Sequence, residues 1–279
     1  MNDPRITPAR PDLAAAHLKG KVEAVRFVEG QLREVARGRS ALRAEPSVES
    51  RMETELLFGE RFTVFETANG WAWGQSALDD YVGYVATQDL CDASRVPDHR
   101  VTARATPLLP APDFKLPARD MLPMNAKVKV LERDGRYARI ADGFLFAGHL
   151  APIGERVADW VAIAERFRGT PYLWGGKSSF GIDCSGLVQI ALNATGARCP
   201  RDSDMQQASL GHALDPAETS KLQRGDLIFW NGHVAIVRDA DSIVHANAHH
   251  MATTIENTHD AIARIKAAGS EIVAIKRLM

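Results

Sequence analysis

Cys184 is the residue in this chain best placed to do chemistry. It stands in Gly181-Ile182-Asp183-Cys184-Ser185-Gly186-Leu187-Val188, a few residues after Pro171-Tyr172-Leu173-Trp174-Gly175-Gly176. The pattern puts the thiol at the first turn of an amphipathic helix, where unpaired N–H groups and the positive end of the dipole favour thiolate. A thiolate so placed is a nucleophile for acyl transfer. Cysteines that only fill a core have apolar neighbours, whereas Asp183 and Ser185 flank this one. Cys91 and Cys199 lack such surroundings.

Two histidines supply the matching base. His233 opens the apolar run His233-Val234-Ala235-Ile236-Val237, and His245 falls in the next run after the turn Arg238-Asp239-Ala240-Asp241-Ser242. If Arg238 pairs with Ser242, Ala235 lies opposite His245, and His233 shares a face with Ala235. The histidines are then diagonal neighbours roughly 7–8 Å apart at the backbone, within reach of one imidazole bonding the other. A slip of one residue would separate them to opposite faces. In this scheme His233 takes the thiol proton and His245 holds its ring, with Asn247 as the second candidate for the orienting role. His249 and His250 have no Cys or carboxylate partners at ligand spacing, so neither a metal nor a cofactor is expected.

These residues need a helix and a sheet to hold them. Val157, Trp160, Val161, Ala164 and Phe167 fall on one helical face, as do Leu187, Val188, Ala191 and Leu192, with Gly196 as a stop. Runs at 226–230, 233–238, 242–246 and 272–277 read as strands. Helices followed by strands indicate an α+β domain with an antiparallel sheet over residues 153–279.

The preceding half reads differently. Residues 1–45 are rich in Pro, Arg and Ala, with helical patterns near 13–18 and 25–35, and are expected to form an N-terminal arm. Two related segments follow, at 46–96 and 97–152. Each runs a period-2 strand, a turn (Asn69-Gly70 or Asp134-Gly135) and an aromatic-bearing strand. Short strands joined by tight turns suggest two small β-barrels.

Composition bounds the rest. The chain has 279 residues, 45% of them hydrophobic and 25% charged, which suits a globular protein of two or three domains. A net charge of −1 gives no electrostatic reason for a nucleic-acid or membrane partner. No apolar run approaches the roughly 18 residues that span a bilayer, and no signal peptide is visible at the N-terminus, so a cytoplasmic location is expected. Three cysteines are too few and odd for a disulfide scaffold.

The runs P-Y-L-W-G-G, G-I-D-C-S-G-L-V, P-R-D-S-D-M-Q, R-G-D-L-I-F-W and H-V-A-I-V, in this order, closely resemble the NlpC-type cysteine peptidases, papain-like enzymes that cleave bacterial cell-wall peptides. The match covers most of residues 155–250, and the two preceding segments resemble bacterial SH3-like domains. The whole is similar to the subgroup of dipeptidyl-peptidase VI, or γ-D-glutamyl-L-diamino acid endopeptidase. That resemblance implies a murein peptide with a free N-terminal L-Ala as substrate, cut between γ-D-Glu and the diamino acid. It implies Cys184 as nucleophile, His233 as base and His245 as orienting residue. It implies Tyr172 beside the reacting carbonyl, and Asp183, Ser185, Asp202 and Ser203 at the substrate. From the first SH3-like segment it implies an acid and a tyrosine at the substrate's amino end. Glu53 and Tyr81 match best, with Glu55 and Tyr84 as alternatives. Paired carboxylates, Asp183 with Glu53, would then reject blocked amines, because they would be left unpaired. A thiol amidase or acyltransferase, a wall-remodelling endopeptidase and a non-catalytic wall-binding module are the competing readings.

Overall fold

Asn69 and Gly70 adopt left-handed φ of 51° and 83°, the combination that closes a two-residue hairpin with the natural strand twist. They join Arg61–Ala68 to Trp71–Ser76 at the centre of a seven-stranded sheet. Its order is Met52–Leu57, Arg39–Arg43, Val82–Ala86, Trp71–Ser76, Arg61–Ala68, Gln31–Val35, Leu90–Asp92. The computed structural model describes residues 3–93 and 96–278, and the chain divides into two units after Ile153.

In the first unit, the helices expected near 13–18 and 25–35 do not form. Leu13–Ala15, Arg26–Val28 and Gln31–Val35 are strands, and only Ala16–Leu18 makes a single 3-10 turn. Gln31 pairs with Val64, and Val35 is fully buried with Leu42, Leu56 and Phe62. Short apolar runs do not by themselves distinguish strand from helix, and the sheet's open edge decides the matter. The first sheet therefore begins at residue 31, inside the stretch expected to be an arm. Earlier residues pack onto it. The Arg10 guanidinium stacks on Trp73 at 4.3 Å, donates to the Tyr84 hydroxyl at 2.8 Å and pairs with Glu66. Residues 99–152 form three small sheets around Val101, Leu122, Val128, Ala138 and Leu145, a core that Phe58 also enters.

In the second unit, six antiparallel strands run in the order β1-β6-β2-β3-β4-β5. Here β1 is His212–Leu214, β2 Asp226–Trp230, β3 His233–Val237, β4 Ser242–Asn247, β5 Ala252–Asn257 and β6 Ile272–Arg277. Helices α1 (Trp160–Glu165), α2 (Cys184–Asn193), α3 (Ser203–Ser209) and α4 (Thr258–Ala267) complete it. Helix α2 packs on β3 and β4, and α4 on β5. Every residue of α2 from Cys184 to Leu192 is buried. Ala261 of α4 joins Ala235, Val237, Ile243 and Ile275 in the core over one sheet face.

Candidate active site

The Gly/aromatic loop and α2 meet through backbone atoms, and that contact places Cys184. Gly176 O lies against Gly186, and a Cβ on Gly186 would stand 2.3 Å from that oxygen and 2.9 Å from Asp183 Oδ1. Only glycine fits there. Asp183 caps the helix, its Oδ1 accepting from Gly186 N at 2.7 Å, and its Oδ2 accepts from Gly175 N at 2.8 Å. Arg201, only 1% exposed, donates to both carboxylate oxygens at 3.0 and 2.6 Å and to Ser185 Oγ at 2.9 Å. The Asp183 charge is thus already matched by a buried guanidinium. Its geometry is that of a cap and ion pair that hold Cys184 at the helix start.

The histidines occupy the diagonal geometry on β3 and β4. Arg238 N donates to Ser242 O, and Ile236 lies opposite Val244. His233 and His245 therefore share a face, and His233 Nε2 stands 2.9 Å from His245 Nδ1. A second diagonal follows. His245 lies opposite Thr254 on β5, and Glu256, two residues further, places Oε2 at 2.6 Å from His245 Nε2. Arg264 of α4 donates to the same Glu256 oxygen at 2.6 Å. Asn247 is engaged elsewhere, donating to Thr254 Oγ1 and accepting from His250 N. Glu256 and Arg264 lie outside the quoted motifs. A signal for them existed in the alternating run 252–256, Asn257 as a helix cap, and the spacing of Ala261 and Ile265 before Gly269.

The other predicted residues are distributed as follows. Tyr172 is half-buried and bridges by its backbone to Ile182 and Met251. Asp202 and Ser203 are half-buried at the start of α3. In the first unit, Glu53 pairs with Arg51 at 2.6 Å and Glu55 with Arg39 at 3.0 Å. Tyr81 is 2% exposed and packs with Val35, Leu42 and Val85. Among the described residues, no group of three or more His, Cys, Asp or Glu is arranged to hold a metal ion. No helix among them is long and apolar enough to cross a membrane.

Comparison with known proteins agrees with a thiol hydrolase. Residues 169–267 match the NlpC/P60 family, and residues 42–90 match the bacterial dipeptidyl-peptidase Sh3 domain. The probable endopeptidase NlpC of Escherichia coli is 32% identical over 118 residues, covering 39% of this chain and 68% of that protein. The chain belongs to the NlpC/P60 family. This NlpC/P60 cysteine peptidase is also similar to dipeptidyl-peptidase 6 of Lysinibacillus sphaericus. That enzyme is 27% identical over 231 residues, covering 74% of this chain and 84% of the relative. A γ-D-glutamyl-L-lysine dipeptidyl-peptidase of Bacillus cereus is 28% identical over 205 residues, 65% of this chain and 60% of the relative. A solved NlpC/P60 family structure from Bacillus cereus has the same fold, with a TM-score of 0.75 at 21% identity over 88% of this chain and 99% of that one.

Burial dominates the electrostatics of the NlpC/P60 site. Burial, and then the Asp183 charge, push the Cys184 thiol up to about 12, although N–H groups of Val234 and Ser185 act the other way. Burial, followed by His245, brings His233 down to about 3. Burial thus disfavours the charged form of both thiol and imidazole. The helix-end field is present but is outweighed by desolvation. Burial raises the Tyr172 phenol, with nearby Cys184 and Asp183 acting in the same direction, so its hydroxyl remains a donor.

Proposed function

We propose that this peptidase hydrolyses the bond between γ-D-Glu and the diamino acid in murein peptides that carry an unblocked N-terminal L-Ala. The carrying observation is the similarity to dipeptidyl-peptidase 6, which extends along 84% of that enzyme and is not confined to the catalytic motifs. The match of residues 42–90 to the bacterial dipeptidyl-peptidase Sh3 domain and the name of the Bacillus cereus relative support it. In intact wall the L-Ala amine is acylated, so an enzyme that requires it free recycles released peptides. A cytoplasmic place of action follows from that role. Residues 31–93 and 97–152 are taken as two SH3-like domains preceding the peptidase domain.

In the proposed reaction the Cys184 thiol gives its proton to His233 as sulfur attacks the γ-amide carbonyl carbon. Transfer coupled to attack suits a pair that rests neutral. The oxyanion is met by the Tyr172 hydroxyl and the Cys184 backbone N–H. The tetrahedral species expels the diamino acid amine, which takes the proton from His233, leaving a thioester. Water, deprotonated by His233, hydrolyses the thioester and restores the thiol. Asp202 and Ser203 are the proposed substrate-binding side chains, while Asp183 and Ser185 act through Arg201 to hold the helix start.

The test is mass spectrometry of products from L-Ala-γ-D-Glu-meso-diaminopimelate and its N-acetylated form. Release of L-Ala-γ-D-Glu from the free peptide alone is expected, and Cys184→Ala should abolish it. Cleavage of both forms favours a wall-remodelling endopeptidase. Cleavage of neither overturns the substrate assignment.

A further inference from the structure

The hydrogen-bonded series His233–His245 does not end at the second histidine. It continues to Glu256 and Arg264, both held by elements outside the catalytic motifs. His245 is 1% exposed, so no bulk water competes for its ring nitrogens. Each link is a diagonal step across one more strand of the antiparallel sheet, and α4 closes the series from its packed position on β5.

We propose that Glu256 and Arg264 are positioning residues that fix the tautomers of both histidines, leaving His233 Nδ1 bare to take the thiol proton. The argument is one of donor and acceptor capacity. An ionised carboxylate paired with a guanidinium only accepts, so His245 Nε2 must carry a hydrogen. A neutral His245 then presents Nδ1 as an acceptor, which requires His233 Nε2 to carry a hydrogen. The remaining His233 nitrogen, Nδ1, is a lone pair. One carboxylate thus specifies protons two rings away.

Arg264 has the complementary task. Glu256 alone would favour the imidazolium form of His245, which donates from both nitrogens. His233 Nε2 would then have to accept, moving its own hydrogen to Nδ1 and abolishing the base. By sharing Glu256 Oε2, Arg264 offsets that pull. The groups facing this ladder are Cys184 from α2, His233 from β3, Glu256 from β5, Arg264 from α4, and His250 from the β4–β5 turn. His250 Nε2 lies 3.9 Å from Glu256 Oε1. Burial would raise Glu256, but hydrogen bonds from His245 and Arg264 outweigh it and hold the carboxyl at about 2, so it stays ionised through the working range.

The inference rests on the roles proposed for Cys184 and His233 but not on the identity of the substrate, and the test keeps the two apart. Imidazole 15N spectra of full-length Cys184→Ala protein report ring protonation without turnover. Hydrogens on His245 Nε2 and His233 Nε2 are expected, and Glu256→Leu should scramble both. A His233 hydrogen on Nδ1, or tautomers indifferent to Glu256→Leu, overturns the inference. In parallel, kcat/KM is measured against pH for the murein tripeptide. Arg264→Met should move the acid limb upward by about 1–3 pH units, the effect of an unshielded charge at this range, with near wild-type rates at the alkaline end. Glu256→Gln/Arg264→Met should return the limb to its original place, which a merely structural role would not do. Uniform loss at every pH in both variants counts against the proposal. Failure of the wild-type protein to cut the tripeptide refutes the substrate, while the spectra still decide the tautomers.

Discussion

Replacing Asp183 with Ala tests whether this carboxylate holds the nucleophile in place or binds an ammonium. The side chain caps α2 and faces Arg201, which is 1% exposed. Loss of the cap should cost about 1 kcal/mol. Leaving a buried guanidinium without its carboxylate should cost about 3–5 kcal/mol more. The sum, about 4–6 kcal/mol, is a large part of the roughly 5–15 kcal/mol that holds a typical protein folded. Removing both partners, in Asp183→Ala/Arg201→Met, takes away the charge imbalance and should restore about 3 kcal/mol relative to the single variant. The assay is equilibrium urea unfolding of the full-length protein, combined as a double-mutant cycle. Rates on free and N-acetylated peptide are measured beside it. A single variant within about 1 kcal/mol of wild type, together with loss of preference for the free amine, would refute the capping argument. It would also return Asp183 to the substrate. The expected result is the opposite on both counts.

Four further outcomes follow from the site. With the Cys184 thiol pushed up to about 12 by burial, iodoacetamide should alkylate it slowly at neutral pH and faster as pH rises; a rate plateau reached below about pH 6 would indicate a standing thiolate instead. Because His233 is lowered to about 3, its neutral form, the one that accepts a proton, persists below the ordinary imidazole range, and the acid limb of kcat/KM should lie below 6.5. Tyr172→Phe should lower kcat by about 10²–10³-fold, as for other oxyanion donors, with little change in KM or in unfolding midpoint. Gly186→Ala forces a methyl to within 2.3 Å of the Gly176 carbonyl oxygen; a cost of about 1–3 kcal/mol in urea unfolding, with loss of activity, is expected.

What could be read from residues alone was governed by sequence distance. The first diagonal, from His233 to His245, depends on one short turn, and pairing Arg238 with Ser242 fixes the side to which each ring points. The second diagonal has the same geometry but follows a turn in which Met251 takes a positive φ of 50°. That conformation is uncommon for such a side chain, and nothing in His249-His250-Met251 announces where β5 resumes register. Glu256 was therefore invisible as a partner although its strand alternates. The surroundings of Asp183 are only partly legible, for a different reason. Its place beside Cys184 was legible, but the counter-charge that neutralises it comes from Arg201, brought back by a loop whose path no local pattern encodes.

The N-terminal error shares that cause, because Val35 reads as helical until Val64 and its neighbours offer an edge to pair with. Local spacing singled out Cys184 and His233 as candidates, but the groups that bond to their surroundings arrive from other strands and helices. Burial of the thiol and the imidazole is the main influence on their charge, and those arrivals add to it. Asp183 opposes the thiolate from one side, and the buried ladder behind His233 opposes the imidazolium from the other. A helix N-terminus acting alone would have predicted the reverse. In the proposed reaction, activation of the thiol therefore belongs to the moment of attack, when charge would move to the carbonyl oxygen and the Tyr172 hydroxyl would meet it.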